Sequence, residues 1–365
     1  MDAEFSAEQQ ELRASVRRFL DARAPLSFTR ARFDEAIGSA PEVWAGLVAL
    51  GATGLLVAEE HGGAGAGMTD AGVVLEELGR VAHPGPLRSA AVATPLILAA
   101  LASEDQGARW LPGVVDGSVL GTLALHDDGR GSSWHRPATL ATNGAVSGTK
   151  ILVPDGAGAT LLLVTAHDDE GLGVHAIDSS AEGVTITATP TADGSTKLAT
   201  ITLERAEAER IGTGDATDAL AGIVDRLVIA TTLDAVGAAS AVLDLAVGYA
   251  KVRVQFDQPI GAFQAVQHLC TDMLRAVEVS RAAAYYGLWA ADCAEPAELH
   301  RAATIAKAYA SDALAQVGAD AIQIFGGVGY TWEADPHLLY KRLLTFKHQL
   351  GGPSEHLEEL ASIVL

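Results

Sequence analysis

The chain has 365 residues, of which 49% are hydrophobic, and so high an apolar content excludes an intrinsically disordered protein. Its 46 acidic residues outnumber its 25 basic residues, which gives a formal net charge of -21 at pH 7. Such a chain lacks the basic surface that nucleic acids and anionic membranes require, so we expect neither as a partner. An anionic ligand would need local positive charge, such as one arginine or a helix N-terminus.

Three features bear on the compartment. The first nineteen residues are charged and amphipathic, without the apolar stretch of a secretion signal. Cys270 and Cys293 are too few for a disulfide framework, and both fall in segments with helical spacing. The longest apolar run, residues 89–102, is too short to span a bilayer. The sequence therefore predicts a cytoplasmic protein with no membrane segment.

The first part of the chain, residues 1–117, has helical spacing of its apolar residues. Leu12, Val16 and Leu20 lie on one face of a predicted helix, for which Ser6 provides a weak start signal. The glycine-rich residues 62–65 resemble a phosphate-binding loop, but no strand leads into them and no Lys-Ser or Lys-Thr pair follows. We therefore predict a plain loop before a helix.

From residue 118 to residue 207 the pattern changes to short runs rich in Val, Ile, Leu and Thr. Gly, Asp and Asn separate these runs at the spacing of antiparallel strands joined by turns. No helical pattern lies between them to suggest a parallel sheet. This part is predicted to be a small antiparallel β domain, a barrel or a sandwich.

The last part, residues 208–365, returns to helical spacing over long segments. The predicted helices cover residues 217–252, 262–293, 297–325, about 334–347 and about 354–364. A helix of about thirty residues is about 45 Å long at 1.5 Å per residue, so the first three are long helices. Their apolar residues recur every three or four positions, which predicts a four-helix bundle.

Familiar metal and nucleophile motifs are missing from the sequence. The eleven histidines form no zinc-binding pattern, and His348 and His356 are expected on a helix surface. Ser132 and Ser133 lack the flanking glycines of a hydrolase elbow. We therefore predict neither a metal site nor a serine nucleophile.

Two stretches of the last part have the chemistry to bind a ligand. In the first, Arg253 can fork onto a phosphate, Gln255 can donate a hydrogen bond, and Phe256 can lie against a planar ring. In the second, a predicted helix ends at Gly326 and Gly327, which would let a ligand approach the backbone. Taken singly, each stretch is equally compatible with an ordinary turn between bundle helices.

Together, in this order and within this layout, the two stretches resemble the acyl-CoA dehydrogenase family. They read Arg-x-Gln-Phe-x-x-Pro-Ile-x-x-Phe-Gln from Arg253 and Gln-x-x-Gly-Gly-x-Gly-Tyr from Gln323. The resemblance covers essentially the whole chain. It implies an α+β fold with an N-terminal α-helical domain (1–117), a middle antiparallel β-barrel domain (118–207) and a C-terminal four-helix bundle (208–365).

The resemblance also implies ligands and partners. It implies an acyl-CoA substrate, an electron-transfer protein as acceptor, and an FAD held without a covalent bond across the interface of a dimer of dimers. The residues that match the family's FAD contacts are Arg253, Gln255, Phe256, Phe263, Gln264, Gln323, Gly326 and Gly327.

The catalytic base of the family is missing from its usual place. In relatives a Glu in the loop before the last helix removes the α-proton of the acyl-CoA, and the matching residue here is Gly351. Other relatives carry the Glu on the first long bundle helix, where this chain has Leu227. Asp225 is the only nearby carboxylate, but an offset of two residues turns a helix by about 200°. We expect Asp225 to be solvated or to contact CoA, and keep it only as a weak candidate for the base.

The middle domain departs from the family as well. The loop that relatives place against the flavin reads His-Asp-Asp-Gly-Arg-Gly-Ser-Ser here, over residues 126–133. The strand under the flavin ends in Leu152-Val153-Pro154, and Pro154 has neither an N–H nor a hydroxyl to offer. The face for a flavin ring is thus altered, whereas the face for a neighbour's FAD matches.

Four functions are compatible with these departures. The first is a dehydrogenase completed by a related subunit, as in the α2β2 enzymes of actinobacterial steroid and cholesterol degradation that the chain resembles. The others are a self-sufficient homomer with an unrecognised base, a flavin-dependent oxidase or monooxygenase on the same fold, and a non-catalytic structural subunit. The first is favoured, because only the features that serve a neighbour's FAD match the family.

Overall fold

In the computed structural model of the chain, residues 5–129 and 133–365 are described. A helical first part, a β-sheet middle part and a helical last part follow one another, as predicted. Contacts divide the chain into two compact units. One consists of Met1–Ala31, Gly72–His83 and Val228–Leu365, and the other of Arg32–Ala71 and Pro84–Leu227.

The helices of the first part begin with a well-formed cap. Ser6 accepts a hydrogen bond from the Gln9 N–H at 3.2 Å, and the Gln9 side chain accepts one from the Ser6 N–H at 3.0 Å. Val16 and Leu20 are buried, which confirms the predicted helix face. The helices are α1 (Ala7–Arg23), α2 (Leu26–Ala31), α3 (Pro41–Ala49), α4 (Met68–Arg80), α5 (Thr94–Leu101) and α6 (Glu104–Val115).

The glycine-rich residues 62–65 form a plain loop before α4, as predicted. A single turn of 3₁₀ helix, Glu59–His61, precedes this loop. It ends at Gly62, whose φ of +87° is the left-handed conformation that favours glycine. Because no strand leads into the loop, the geometry of a phosphate-binding loop is not formed.

The middle part is one sheet that is mostly antiparallel. Its nine strands within the described residues are β1 (Gly121–Ala124), β2 (His126–Asp127), β3 (Leu140–Thr142), β4 (Ala145–Pro154), β5 (Leu161–Asp168), β6 (Gly171–Asp178), β7 (Val184–Thr189), β8 (Leu198–Glu207) and β9 (Glu209–Ile211). The strand order is β7-β8-β4-β3-β5-β6-β9, with β1 paired to β5 and β2 paired to β4.

The predicted antiparallel pairing holds for most of the sheet, and the exceptions are at β5. Strand β1 pairs with β5 in parallel over four residues, and β3 adds one further parallel pair. A parallel pair needs a crossover of a dozen or more residues, usually a helix. Here strands β2 to β4 provide that length, so the absence of a helical pattern did not exclude parallel pairing.

The last part contains the predicted long helices. They are α7 (Thr217–Val252), α8 (Gln264–Cys293), α9 (Pro296–Phe325), α10 (Pro336–His348) and α11 (Pro353–Val364), and each end lies within two residues of the prediction. Within the described residues, α7 alone has the length and apolar content to cross a membrane. However, 94% of its most apolar window is buried inside the protein, as in the core helix of a globular domain.

Helices α4 and α7 contact each other through glycines. A Cβ at Gly237 would lie 1.9 Å from the Glu76 carbonyl oxygen, and a Cβ at Gly79 would lie 1.9 Å from the Asp234 carbonyl oxygen. Real Cβ atoms do not approach a backbone so closely. Both glycines are therefore required by the close approach of the two helix backbones.

We expect Gly237→Ala to lower the free energy of unfolding by about 1–3 kcal/mol, because a methyl group there forces the helices apart. The matched control is Gly248→Ala on the same helix. A Cβ at Gly248 meets nothing within 4 Å, so this change should raise stability by about 0.5–1 kcal/mol through helix propensity. Urea unfolding measures both. Equal effects at the two positions would contradict the close contact.

An ion pair is buried between α7 and α10. Arg342 Nε and Nη2 lie 2.8 and 2.7 Å from the two carboxylate oxygens of Asp234. Both side chains are 7% exposed. The imidazole of His83 is also buried, stacks on Phe28 at 6.1 Å, and its Nδ1 has no hydrogen-bond partner in the described part of the chain.

The burial of His83 predicts a loss of stability in acid. Burial and then the Arg342 charge lower the pKa of His83 to about 4, although Asp234 acts in the opposite direction. Below the unfolded pKa of about 6.5 the unfolded chain therefore binds a proton that the native chain excludes. This contribution is complete above pH 6.5 and is lost as the pH falls towards 4.

We expect the His83 contribution to fall by about 2 kcal/mol between pH 6.5 and pH 5. Urea unfolding at pH 7 and pH 5 should show a smaller loss for His83→Gln than for the unmodified chain, because glutamine does not titrate. His348→Gln is the control, since that histidine is exposed. An unchanged pH dependence in His83→Gln would refute the assignment.

Candidate functional site

The ends of α7 and α9 meet at one end of the helical bundle. The rings of Tyr249 and Phe325 stack there with centroids 4.3 Å apart and planes 14° from parallel. Tyr249 lies four residues before Arg253, and Phe325 immediately precedes Gly326. The stack therefore brings the two stretches singled out in the sequence to the same end of the bundle.

A β-hairpin, which the sequence did not predict, forms the turn after α7. Strands β10 (Val254–Gln255) and β11 (Gln258–Pro259) pair across the two-residue loop Phe256-Asp257. The φ angles of Phe256 and Asp257 are +53° and +66°. A turn of this kind normally contains Asn-Gly, so these residues gave no hairpin signal.

The tip of the hairpin is both strained and exposed. A residue other than glycine in the left-handed region costs on the order of 1–3 kcal/mol, and such residues concentrate at binding sites. The Phe256 side chain is 86% exposed, and its ring makes an edge contact with Phe263 at 6.1 Å. The hairpin thus presents an aromatic ring to solvent in a fixed direction.

Exposed polar side chains lie on the hairpin and on the neighbouring helix ends. Arg253 is exposed, and its guanidinium makes no ion pair or hydrogen bond with another described residue. Gln264 begins α8 and Gln323 lies in the last turn of α9, and both are exposed. Gln255 donates to the carbonyl oxygen of Val254 at 2.8 Å. An exposed guanidinium without a partner among the described residues is suited to an anion such as a diphosphate.

The glycine turn after α9 is open to a ligand. Gly326 has φ +63°, and a Cβ added at Gly326 or at Gly327 would meet nothing within 4 Å. Gly329 differs, because a Cβ there would lie 2.9 Å from the Cβ of Phe325. The backbone at Gly326 and Gly327 therefore leaves room for a bound group to approach it.

The loop between α10 and α11 carries no carboxylate at the predicted base position. Gly351 has φ +98°, and Leu350 before it has φ +56°. His356 is buried at 8% exposure, so the expectation of a surface histidine is wrong there. Its Nε2 lies 2.9 Å from the Leu350 carbonyl oxygen, which explains the burial. His348 is exposed, as predicted.

Asp225 and Leu227 both lie on α7 and both are buried, at 8% and 7% exposure. The expectation that Asp225 is solvated is therefore wrong. A buried carboxylate has to be compensated by its neighbours, so this aspartate is more than an ordinary surface residue. Its role as a base stays a prediction.

The altered middle-domain segments are occupied by contacts of their own. Asp127 on β2 lies 2.7 Å from Lys150 Nζ and accepts a hydrogen bond from Thr139 Oγ1 at 2.7 Å. Burial would raise the pKa of Asp127, but the hydrogen bonds from Lys150 and Thr139 hold it below its usual value. Burial lowers the pKa of Lys150 to about 8. Arg130, Gly131 and Ser132 lie outside the described residues.

Pro154 ends β4, and its carbonyl oxygen accepts a hydrogen bond from Thr122 Oγ1 at 2.5 Å. Proline has no backbone N–H, so this position cannot donate to a ligand. The predicted loss of a donor at this strand end is therefore present in the fold. Within residues 5–129 and 133–365, no group of three or more His, Cys, Asp or Glu side chains is arranged to hold a metal ion.

A β-sheet domain that lies in sequence between two helical parts is the architecture of one class of flavin-dependent dehydrogenases. The chain belongs to the acyl-CoA dehydrogenase family. The model of the family's N-terminal domain matches residues 6–118, and that of its C-terminal domain matches residues 224–362. Members of this family are FAD-dependent oxidoreductases, so FAD is the cofactor of the reaction.

Several relatives cover the whole chain. Acyl-CoA dehydrogenase IpdE2 of Mycolicibacterium smegmatis is 31% identical over 364 residues, which cover 99% of this chain and 100% of the relative. A solved variant of the Tcur3481-Tcur3483 steroid ACAD is 31% identical with a TM-score of 0.89, covering 98% and 97% of the two chains. The ChsE4-ChsE5 complex from Mycobacterium tuberculosis is 25% identical with a TM-score of 0.91, covering 99% and 98%.

Proposed function

We propose that this chain is one subunit of an FAD-dependent acyl-CoA dehydrogenase whose catalytic base comes from a second, related subunit. One contrast carries the proposal. The end of the bundle that matches the family's FAD contacts is exposed and has an unpaired guanidinium within the described chain, whereas the loop of the usual base holds Gly351.

The residues at the bundle end fit the diphosphate and adenine of an FAD. Arg253 would bind the diphosphate in a bidentate manner, and the backbone at Gly326 and Gly327 would allow the phosphate to approach. The ring of Phe256 would cover the adenine. The remaining proposed contacts are Gln255, Phe263, Gln264 and Gln323. When bound, FAD supplies the hydride acceptor of the dehydrogenation.

The proposed substrate is a bulky acyl-CoA, such as the CoA ester of a steroid side chain. Support comes from the 31% identity over nearly the full length to a solved enzyme described as a steroid ACAD. The second subunit is supported by the likeness to the ChsE4-ChsE5 complex, which contains two different chains. We propose a heterotetramer with an electron-transfer protein as the acceptor.

Two further expectations belong to the proposal. The enzymes of this family are soluble, and we place this chain in the cytoplasm. We also keep the division into residues 1–117, 118–207 and 208–365 as the proposed domain organisation. The match of the N-terminal family model to residues 6–118 supports the first of these boundaries.

A self-sufficient homomer is the second candidate, and the burial of Asp225 favours it. In that enzyme Asp225 would remove the α-proton. Asp225→Asn would then abolish dehydrogenation while leaving the flavin bound. In the proposed two-subunit enzyme the same variant keeps its activity.

The visible spectrum of the purified protein tests the proposal. The chain is produced alone and together with a related dehydrogenase subunit encoded beside it, and flavin per chain is read from the visible absorbance band of the bound cofactor. We expect little flavin and no activity for the chain alone, and a yellow, active complex for the pair. A yellow and active homomer would overturn the proposal.

A further inference from the structure

The loop from Gln349 to Gly352 is held tightly by the helix that follows it. His356 on α11 contacts the carbonyl oxygen of Leu350 through Nε2 at 2.9 Å. Glu355 accepts a hydrogen bond from the Gly352 N–H at 2.7 Å. Two consecutive residues, Leu350 and Gly351, have positive φ angles of +56° and +98°. The loop is therefore bent into one conformation by contacts within its own neighbourhood.

The imidazole of His356 occupies the place into which a side chain at 351 would project. A Cβ built on Gly351 would lie 2.8 Å from Nε2 and 3.2 Å from Cδ2 of His356. The Glu355 Oε2 atom would be 3.3 Å away. The positive φ of Gly351 disfavours any other residue in addition. Both the backbone conformation of residue 351 and the neighbouring His356 ring therefore disfavour a side chain at this position.

The His356 ring is itself fixed. It is buried, and its Nδ1 makes no hydrogen bond with any residue that the structure describes, although a carboxylate oxygen of Glu359 lies 3.8 Å away. Lys307 on α9 is fully buried nearby, donates to the Phe346 carbonyl oxygen, and lies 3.7 Å from the centre of the Phe346 ring. The ring therefore sits beside a buried cation at the C-terminal end of α10.

The tautomer of His356 follows from its partner. A carbonyl oxygen only accepts, so Nε2 carries a proton, and in the neutral ring Nδ1 is then the unprotonated nitrogen. Burial lowers the pKa of His356 first, and Lys307 lowers it further, whereas the Leu350 carbonyl and the acidic neighbours act the other way. The ring is neutral at pH 7, and its Nε2–H donates a hydrogen bond to the Leu350 carbonyl oxygen in the loop.

We infer that His356 is a positioning residue that fills the place of the missing carboxylate and locks the 349–352 loop in a form that admits no side chain at 351. The absence of a base at this position then follows from the local fold as well as from the identity of residue 351. Restoring Glu at 351 alone does not restore a base. The inference depends on the proposed function in one respect only: that position 351 corresponds to the catalytic base of the family.

A double-mutant cycle on the full chain tests the contact. Gly351→Ala is made in the unmodified chain, in His356→Ala and, as a control, in His348→Ala, whose histidine is exposed. We expect the loss of stability from Gly351→Ala to be smaller in the His356→Ala background, by about tenfold in the unfolding equilibrium constant. The His348→Ala background should leave it unchanged. An equal loss in all three backgrounds would overturn the inference.

The imidazole signals of the unmodified chain provide a measurement that needs no destabilised variant. ¹⁵N-labelled histidine should show one ring, missing in His356→Gln, with its proton on Nε2 and a pKa below the usual value for histidine. A ring that titrates at the usual histidine pKa would also overturn the inference. Neither test uses flavin or activity, so failure here leaves the proposed function standing, and a yellow, active homomer would leave these results unchanged.

Discussion

Replacing Arg342 by methionine is expected to lower the free energy of unfolding by about 3–5 kcal/mol, more than the other stability changes considered. The guanidinium binds both carboxylate oxygens of Asp234 inside the bundle, at 2.8 and 2.7 Å. Methionine keeps the apolar part of the side chain but has no guanidinium, so the change leaves the Asp234 carboxylate buried beside an apolar group. The cost comes mainly from the loss of the Arg342 charge beside this buried carboxylate.

Two further variants separate charge from packing. Asp234→Leu combined with Arg342→Met should recover most of the loss, because two apolar groups replace the pair. Lys347→Met on the same helix is the matched control, since Lys347 pairs at 2.7 Å with Asp312, whose side chain is 63% exposed. This exposed pair should contribute less than about 1 kcal/mol. Urea unfolding at pH 7 measures all four proteins, and equal losses for Arg342→Met and Lys347→Met would refute the argument.

The second large effect is expected on the cofactor. Arg253→Ala should weaken FAD binding in the assembled enzyme by about 10–100-fold, because a charge-assisted hydrogen bond contributes about 1.5–3 kcal/mol. Arg253→Lys keeps the positive charge but cannot make the two parallel hydrogen bonds of a guanidinium, so we expect an intermediate loss of FAD affinity. Flavin retained per chain after gel filtration and FAD titration of the apoprotein measure the effect.

Lys251→Ala is the control for net charge. Lys251 is exposed in the last turn of α7, two residues before Arg253, and its removal changes the protein's charge by the same amount. It should leave FAD affinity within about twofold, because exposed charges are screened by salt. If Lys251→Ala and Arg253→Ala reduce the affinity equally, the general field of this acidic chain explains the loss and a specific contact with Arg253 does not.

The helices were predictable because their signal is local and repeated. Apolar residues every three or four positions over about thirty residues define α7, α8 and α9, and the Ser6 cap marks the start of α1. The hairpin after α7 was not predictable, because Phe256 and Asp257 are unusual in a tight turn and are held there by the strands and by Phe263. The parallel pairing of β1 with β5 was missed because it joins strands far apart in sequence.

The candidate site, too, has features that the sequence indicated and features that it did not. The turn sequences at Arg253 and Gly326 were singled out by their residue types and by the family resemblance, and the Tyr249–Phe325 stack brings the helix ends that carry them together. Their role in binding FAD stays a prediction. The burial of His356 and of Asp225 could not be predicted, because the exposure of one side chain depends on which distant elements cover it. Sequence patterns describe faces of helices, and they do not describe the neighbours of a single polar residue.

The hairpin affects how the cell treats a copy of the chain that has not yet bound a ligand or a partner subunit. Val252, Val254 and Phe256 are 74%, 53% and 86% exposed, so a newly made copy holds three apolar side chains in water at one tip. Chaperones and proteases bind such surfaces, and copies that stay uncovered are degraded. We therefore expect the amount of this protein in a cell to follow the amount of the ligand or partner that covers these side chains, even when its own rate of synthesis is unchanged.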